Sequence, residues 1–171
     1  MPEDYQFSLT MPESEDERWM RHAVAEAQLA LKKDEVPVGA VVVYEDKIIG
    51  RGHNQVETLK DPTAHAEIIA IGAAATYLNS WRLSGASLYV TIEPCAMCAG
   101  ALVLSRIERL VFGAKDPKAG ACGSLYNIVQ DIRLNHQVQI IPYILEQECS
   151  QILQAFFERV RQKSLERKKE G

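Results

Sequence analysis

In Ser87-Leu88-Tyr89-Val90-Thr91-Ile92-Glu93-Pro94-Cys95-Ala96-Met97-Cys98-Ala99-Gly100-Ala101, a strand runs into a helix with two residues between them. The first six residues are an apolar, aromatic and β-branched run of strand length. Pro94 suits a helix start, where its missing N–H removes no hydrogen bond, and the helix reads on to about residue 105. Cys95 and Cys98 lie three apart and so share one face of that helix start.

The same alternation extends in both directions. Upstream, Val36 to Tyr44 reads as a buried strand with Pro37 at its entrance. Glu45-Asp46-Lys47 makes a turn, and Ile48 to Gly52 returns as a second strand. A helix over about 63–78 precedes the quoted strand. Downstream, Leu110–Phe112 and Val138–Ile141 are short strands, with helices near 124–131 and over about 145–167. At the other end, Ser14-Glu15-Asp16-Glu17 has the form of a capping box. The helix that follows carries Trp19, Met20, Ala23, Val24, Ala27, Ala30 and Leu31 as an apolar stripe, which is core. A hairpin followed by alternating helices and strands predicts a three-layer α/β/α fold with a mixed five-stranded sheet.

The 171 residues, 47% hydrophobic and 25% charged, suit one well-filled domain. Residues 1–16 read as a flexible extension and 17–171 as the folded domain. The start lacks the basic and apolar blocks of a signal peptide, and no apolar run spans a bilayer, so a cytoplasmic protein without membrane association is expected. The net charge of −4 is unevenly spread. Residues 1–17 hold six acids and no base, leaving 17 acidic against 19 basic residues in the remainder. Arg159, Arg161, Lys163, Arg167, Lys168 and Lys169 make the last helix basic. That end is either a solvated face favoured by the helix dipole or a contact for a phosphate backbone.

Chemistry concentrates at two helix starts. Asp61-Pro62-Thr63 reads as a cap with proline in the first turn, placing His65 and Glu67 at the beginning of their helix. Side chains lean back past a helix N-terminus, so both can converge on a point beyond it. One imidazole and two thiolates from His65, Cys95 and Cys98 suit a single Zn²⁺, with the fourth tetrahedral position left for water. Glu67, two residues from the histidine, can move that water's protons without binding the metal. A structural zinc knot would need a fourth ligand from Cys122, Cys149, His53 or His136, none of which has motif spacing to the other three. Cys122 and Cys149 read instead as small buried thiols. The H-x-E and P-C-x-x-C spacing resembles the signature of zinc nucleobase deaminases, in which hydroxide attacks an amino-bearing ring carbon.

Wider stretches narrow the likeness. Glu35-Val36-Pro37-Val38-Gly39-Ala40-Val41, Asp61 through Glu67, Leu88 through Ala101, Ser105-Arg106-Ile107, Val111 through Asp116 and Gly123-Ser124-Leu125 resemble the bacterial tRNA-specific adenosine deaminases of the cytidine deaminase superfamily. The resemblance covers about residues 18–160. It implies a cytidine deaminase-like fold, a homodimer with both subunits shaping the site, and a tRNA anticodon stem-loop as partner. The substrate would be the wobble adenosine of an arginine tRNA, converted to inosine. It assigns zinc to His65, Cys95 and Cys98 and proton transfer to Glu67. It also implies that Asn54 hydrogen-bonds the flipped adenine, with Val38, Ile92 and Ala66 around it, and that Asp116 beside Lys115 meets the target's ribose.

Taken without the resemblance, Asn54 is a turn residue after the second strand and Asp116-Pro117 starts a turn. His53 adjoins Asn54 and can line a pocket, whereas His22 and His136 fit a helix surface and a loop. The zinc motifs leave two other readings open: a deaminase of a free base or nucleoside, and a zinc-stabilised RNA-binding module without catalysis.

Overall fold

The computed structural model describes residues 12–169; the expected N-terminal extension falls mostly on residues 1–11, outside them. Helix α1 (Glu15–Lys32) begins with the expected capping box, Ser14 and Glu17 each accepting the other's backbone N–H. Then come β1 (Gly39–Tyr44), β2 (Lys47–His53), a short α2 (Val56–Leu59) and α3 (Ala66–Leu78). The chain continues through β3 (Ser87–Ile92), α4 (Ala96–Leu104), β4 (Arg109–Ala114), β5 (Gln139–Ile141) and α5 (Glu146–Lys169).

The five strands form one mixed sheet in the order β2-β1-β3-β4-β5. β1 is antiparallel to both neighbours, while β3, β4 and β5 run parallel. Side chains alternate across it. Ala40, Val42, Leu88, Val90, Leu110 and Phe112 pack with α3 and α4. Val41, Val43, Tyr89 and Val111 pack with Trp19, Met20 and Ala23 of α1 and Cys149 of α5. This is the expected three-layer arrangement, and each fully buried Leu or Val stabilises it by about 1.5–3 kcal/mol. Contact is closest where β2 lacks side chains: a Cβ on Gly50 or Gly52 would stand 2.3 Å from a carbonyl oxygen of α3. The glycines bring α3, and hence its N-terminus, directly onto the sheet. At the far face, Asp16 accepts from Tyr89 Oη at 2.8 Å and from Arg109 at 3.2 Å, tying α1 to β3 and β4. Among the described residues no helix is long and apolar enough to cross a membrane.

Three local expectations need correction. The segment 124–131 is not helical but a chain of turns, with Cys122 paired to Asn127. Its amides find acceptors other than their own i−4 carbonyls: Ser124 N–H donates to Glu93, Leu125 N–H to Gly120 and Ile128 N–H to Ala121. The second motif helix starts at Ala66 rather than near 63, because Asp61 Oδ1 accepts from Thr63 N and Oγ1 and closes a separate turn. α2 was not expected; buried Glu35 holds it by accepting from Glu57 N–H at 3.2 Å and Thr58 N–H at 2.6 Å.

Candidate metal centre and active site

His65 and Cys95 are the N-cap residues of α3 and α4, and both helix starts open at the same end of the sheet. His65 Nδ1 stands 3.6 Å from Cys95 Sγ and 3.6 Å from Cys98 Sγ. Among the described residues these three alone converge as metal donors, with ligand atoms within 4.8 Å of one another. The four cysteines are all free thiols. The possible fourth ligands are engaged elsewhere. Cys149 lies in the core on the α1/α5 face of the sheet. His53 contacts Glu26 and Lys33, and His136 contacts the Ile107 carbonyl. Cys122 Sγ faces the Pro94 carbonyl at 4.0 Å, outside the triad.

The donor set itself calls for a cation. Hydrogen bonds from Cys98 and then His65 pull the Cys95 thiol down to about 3, while the Cys95 thiolate and burial push Cys98 far up. One thiolate therefore opposes ionisation of its neighbour. Cysteine and imidazole donors at mixed positions, with one corner left open, match the preference of Zn²⁺.

Glu67, the second residue of α3, is 3% exposed. Burial raises its carboxyl above the usual range, opposed by a hydrogen bond from its own backbone N–H and by the charge of His65. A buried acid whose proton affinity is raised in this way is suited to taking up and returning a proton.

Backbone bonds gather the remaining predicted residues. Asn54 N–H donates to the Val38 carbonyl at 3.0 Å, and Gln55 N–H to the carbonyl of Ala64 at 3.0 Å. Val38 and Asn54 are thus tied to the residue preceding His65. Asn54 is buried, and its side-chain Oδ1 has no protein hydrogen-bond partner among the described residues. Ala66 is fully buried in the core. Ile92 ends β3 opposite Ala114, which brings Lys115 and Asp116 to the same end of the sheet. Lys115 is exposed; Asp116 Oδ1 accepts from Lys118 and Ala119 N–H and so caps a turn.

Two features escaped sequence reasoning. His53 points to the α1 side, bridging Glu26 at 3.1 Å and Lys33 at 3.1 Å, away from Asn54's face of the strand. Glu93, 2% exposed, accepts from Asp116 N, Cys122 N, Ser124 N and Ser124 Oγ. The only signal for it in the chain is its place beside Pro94-Cys95, and its donors lie 23–31 residues away.

The profile of the MafB19-like deaminase family matches residues 14–161. The tRNA-specific adenosine deaminase of Bacillus subtilis strain 168 is 51% identical over 150 residues, covering 88% of this chain and 93% of its own. That of Aquifex aeolicus strain VF5 is 51% identical over 145 residues, covering 85% and 95%. One solved structure, from biochemical and structural studies of A-to-I editing by tRNA:A34 deaminases at the wobble position of transfer RNA, matches with a TM-score of 0.77. It is 43% identical and covers 80% of this chain and 99% of that one.

Proposed function

The chain belongs to the tRNA-specific adenosine deaminase family, and from that membership we propose that it hydrolyses the wobble adenosine of a tRNA anticodon to inosine, releasing ammonia. The observation that carries this reading is the convergence of His65, Cys95 and Cys98 with buried Glu67 beside them. Three donors and one uncoordinated acid are the equipment of a hydrolytic site, whereas a structural knot closes with four.

His65, Cys95 and Cys98 would hold one Zn²⁺ per chain. When bound, the ion acidifies a water to a pKa of about 7 and so supplies the nucleophile at neutral pH. Glu67 takes the water's proton on a carboxylate oxygen and passes it to a ring nitrogen as the water oxygen adds to C6. It then takes the proton of the new C6 hydroxyl and gives it to the departing amine, which completes the balance of adenosine and water giving inosine and ammonia. The unpaired Oδ1 of Asn54 supports a ligand that donates a hydrogen bond there, and the amide's own N–H₂ can serve an adenine acceptor. Val38 and Ile92 would flank the base. Asp116 would accept from the ribose, with Lys115 near a phosphate.

The family likeness further suggests an arginine tRNA as substrate, action in the cytoplasm and a homodimer. Exposed Met97 and Leu104 on α4 and Tyr77 on α3 support self-association, because they leave apolar surface open beside the metal helices. Sedimentation at micromolar concentration tests the dimer.

The deciding experiment incubates the zinc-loaded protein separately with an anticodon stem-loop and with free adenosine, guanine and cytosine. Mass analysis is expected to find inosine in the stem-loop at the wobble position. Turnover confined to free bases or nucleosides sinks the tRNA assignment, and binding without any turnover leaves only an RNA-binding module.

A further inference from the structure

A groove of about 430 Å³ opens between the loop after β4 and the turn before α5. Phe112, Ile140 and Tyr143 form its apolar side, and Lys115, Gly123 and Ser124 the other. Tyr143 is held at φ 68°, in the left-handed region unusual for a large side chain, and its ring meets Phe112 edge to face at 6.2 Å. The ring is 52% exposed, so its other edge and face remain open to a ligand.

The loop that walls this groove is built around one buried anion. Glu93 Oε1 accepts from Cys122 N–H at 3.1 Å and Ser124 N–H at 2.9 Å. Its Oε2 accepts from Asp116 N–H at 3.0 Å and from the Ser124 hydroxyl. The two ends of the loop thus meet on one carboxylate. A side chain on Gly120 would strike it, with a Cβ 2.4 Å from Glu93 Cδ. The loop's middle also lies on the metal motif, as Gly120 pairs with Cys95 and Ala121 N–H donates to the Pro94 carbonyl at 2.8 Å. Glu93 touches neither the metal donors nor Glu67 with its hydrogen bonds. What it sets is where Lys115 and Asp116 stand and how wide the groove is.

We propose that Glu93 is a positioning residue for the RNA strand: its carboxylate holds the 115–124 loop as one wall of a groove that takes an unpaired nucleotide next to the target adenosine. The occupant follows from the lining. An exposed aromatic ring offers a stacking face for any base, and Lys115 at the rim offers a cation for its phosphate. The inference rests on the tRNA reading above.

Glu93→Gln and Tyr143→Ala separate the two parts. Glutamine cannot replace the carboxylate, because whichever way its amide turns, an N–H₂ opposes a backbone N–H. In Glu93→Gln, amide hydrogen exchange at Cys122 and Ser124 is expected to quicken at least about tenfold. The stem-loop Kd and KM should rise by about tenfold, with kcat within about threefold and zinc per chain unchanged. In Tyr143→Ala, on an exposed side chain, Kd should rise about fivefold or more with no change in exchange. Loss of zinc, or a fall in kcat at constant KM, would make Glu93 part of the metal scaffold or the chemistry and overturn its assigned role. An unaltered Kd in Tyr143→Ala removes the groove from the strand's path. Should the wild type bind the stem-loop without converting it, the tRNA deaminase reading fails, while the exchange and Kd comparisons still decide this one.

Discussion

Glu67 and Glu93 are both buried, 3% and 2% exposed, and each lies two residues from a metal donor, yet their surroundings pull them apart. Burial raises the carboxyl of Glu67, and one backbone N–H with the charge of His65 does not offset it. Burial would raise Glu93 as well, but hydrogen bonds from Ser124, Asp116 and Cys122 outweigh it and hold the acid below the ordinary carboxylate range. Burial alone therefore does not decide what a carboxylate does. A poorly supplied one has its proton affinity raised by burial; one saturated with donors is favoured as an anion, and its hydrogen bonds organise the chain around it. Glu35 extends the comparison away from the metal, since hydrogen bonds from Thr58 and Glu57 hold it low despite burial.

The largest expected effect tests the first half of this contrast. Glu67→Ala should lower kcat for inosine formation by about 10²–10⁴-fold with one zinc per chain retained, measured by mass analysis and metal content together. Ammonia release at the wild-type rate would remove Glu67 from proton transfer. Asn54→Ala should cost about 10- to 100-fold in kcat/KM, because a base hydrogen bond in a buried site is lost. The same loss with an adenosine analogue lacking the 6-amino group as competitor would show that Asn54 does not read that edge of the base.

Glu35→Gln tests the second half by stability. Its folded pKa lies below its ordinary 4.5, so the carboxylate contributes stability that is present above that value and lost as pH falls through the lower folded one. Denaturant titration should find the variant weaker by about 1 kcal/mol at pH 7, with the gap closing below about pH 4. A gap that persists at pH 3 would assign the effect to packing. The smallest expected effect concerns cations that are exposed rather than held, those of the last turn of α5. Removing 167–171 should weaken stem-loop affinity by less than about tenfold, most at low salt, and flatten the salt dependence. An unchanged salt slope returns these residues to a solvated face.

Much of the architecture was legible because it is written in short-range pattern. Short continuous runs of apolar and β-branched residues such as Val41 to Tyr44 and Ser87 to Ile92 mark strands, and the Ser14 and Glu17 pair marks a helix start. The convergence of His65, Cys95 and Cys98 was legible for the same reason: each lies at a helix N-terminus, where two or three residues of spacing fix relative direction. Asn54 could be named only through likeness to a family, since a lone asparagine after a strand reads as a turn. The segment 124–131 was misjudged because its apolar spacing imitates a helix while its amides are drawn to acceptors elsewhere. His53 was placed near the pocket by adjacency, but neighbouring residues of a strand face opposite sides, and Glu26 on α1 claims it.

The sequence by itself thus determined the layers, the two helix starts and the chemical identity of the cluster, all consequences of geometry within a few residues. Only the tertiary structure decided which buried acid is left with few donors and which is surrounded by them. That outcome depends on donors contributed from 22 to 31 residues away, and no local pattern encodes how many of them arrive.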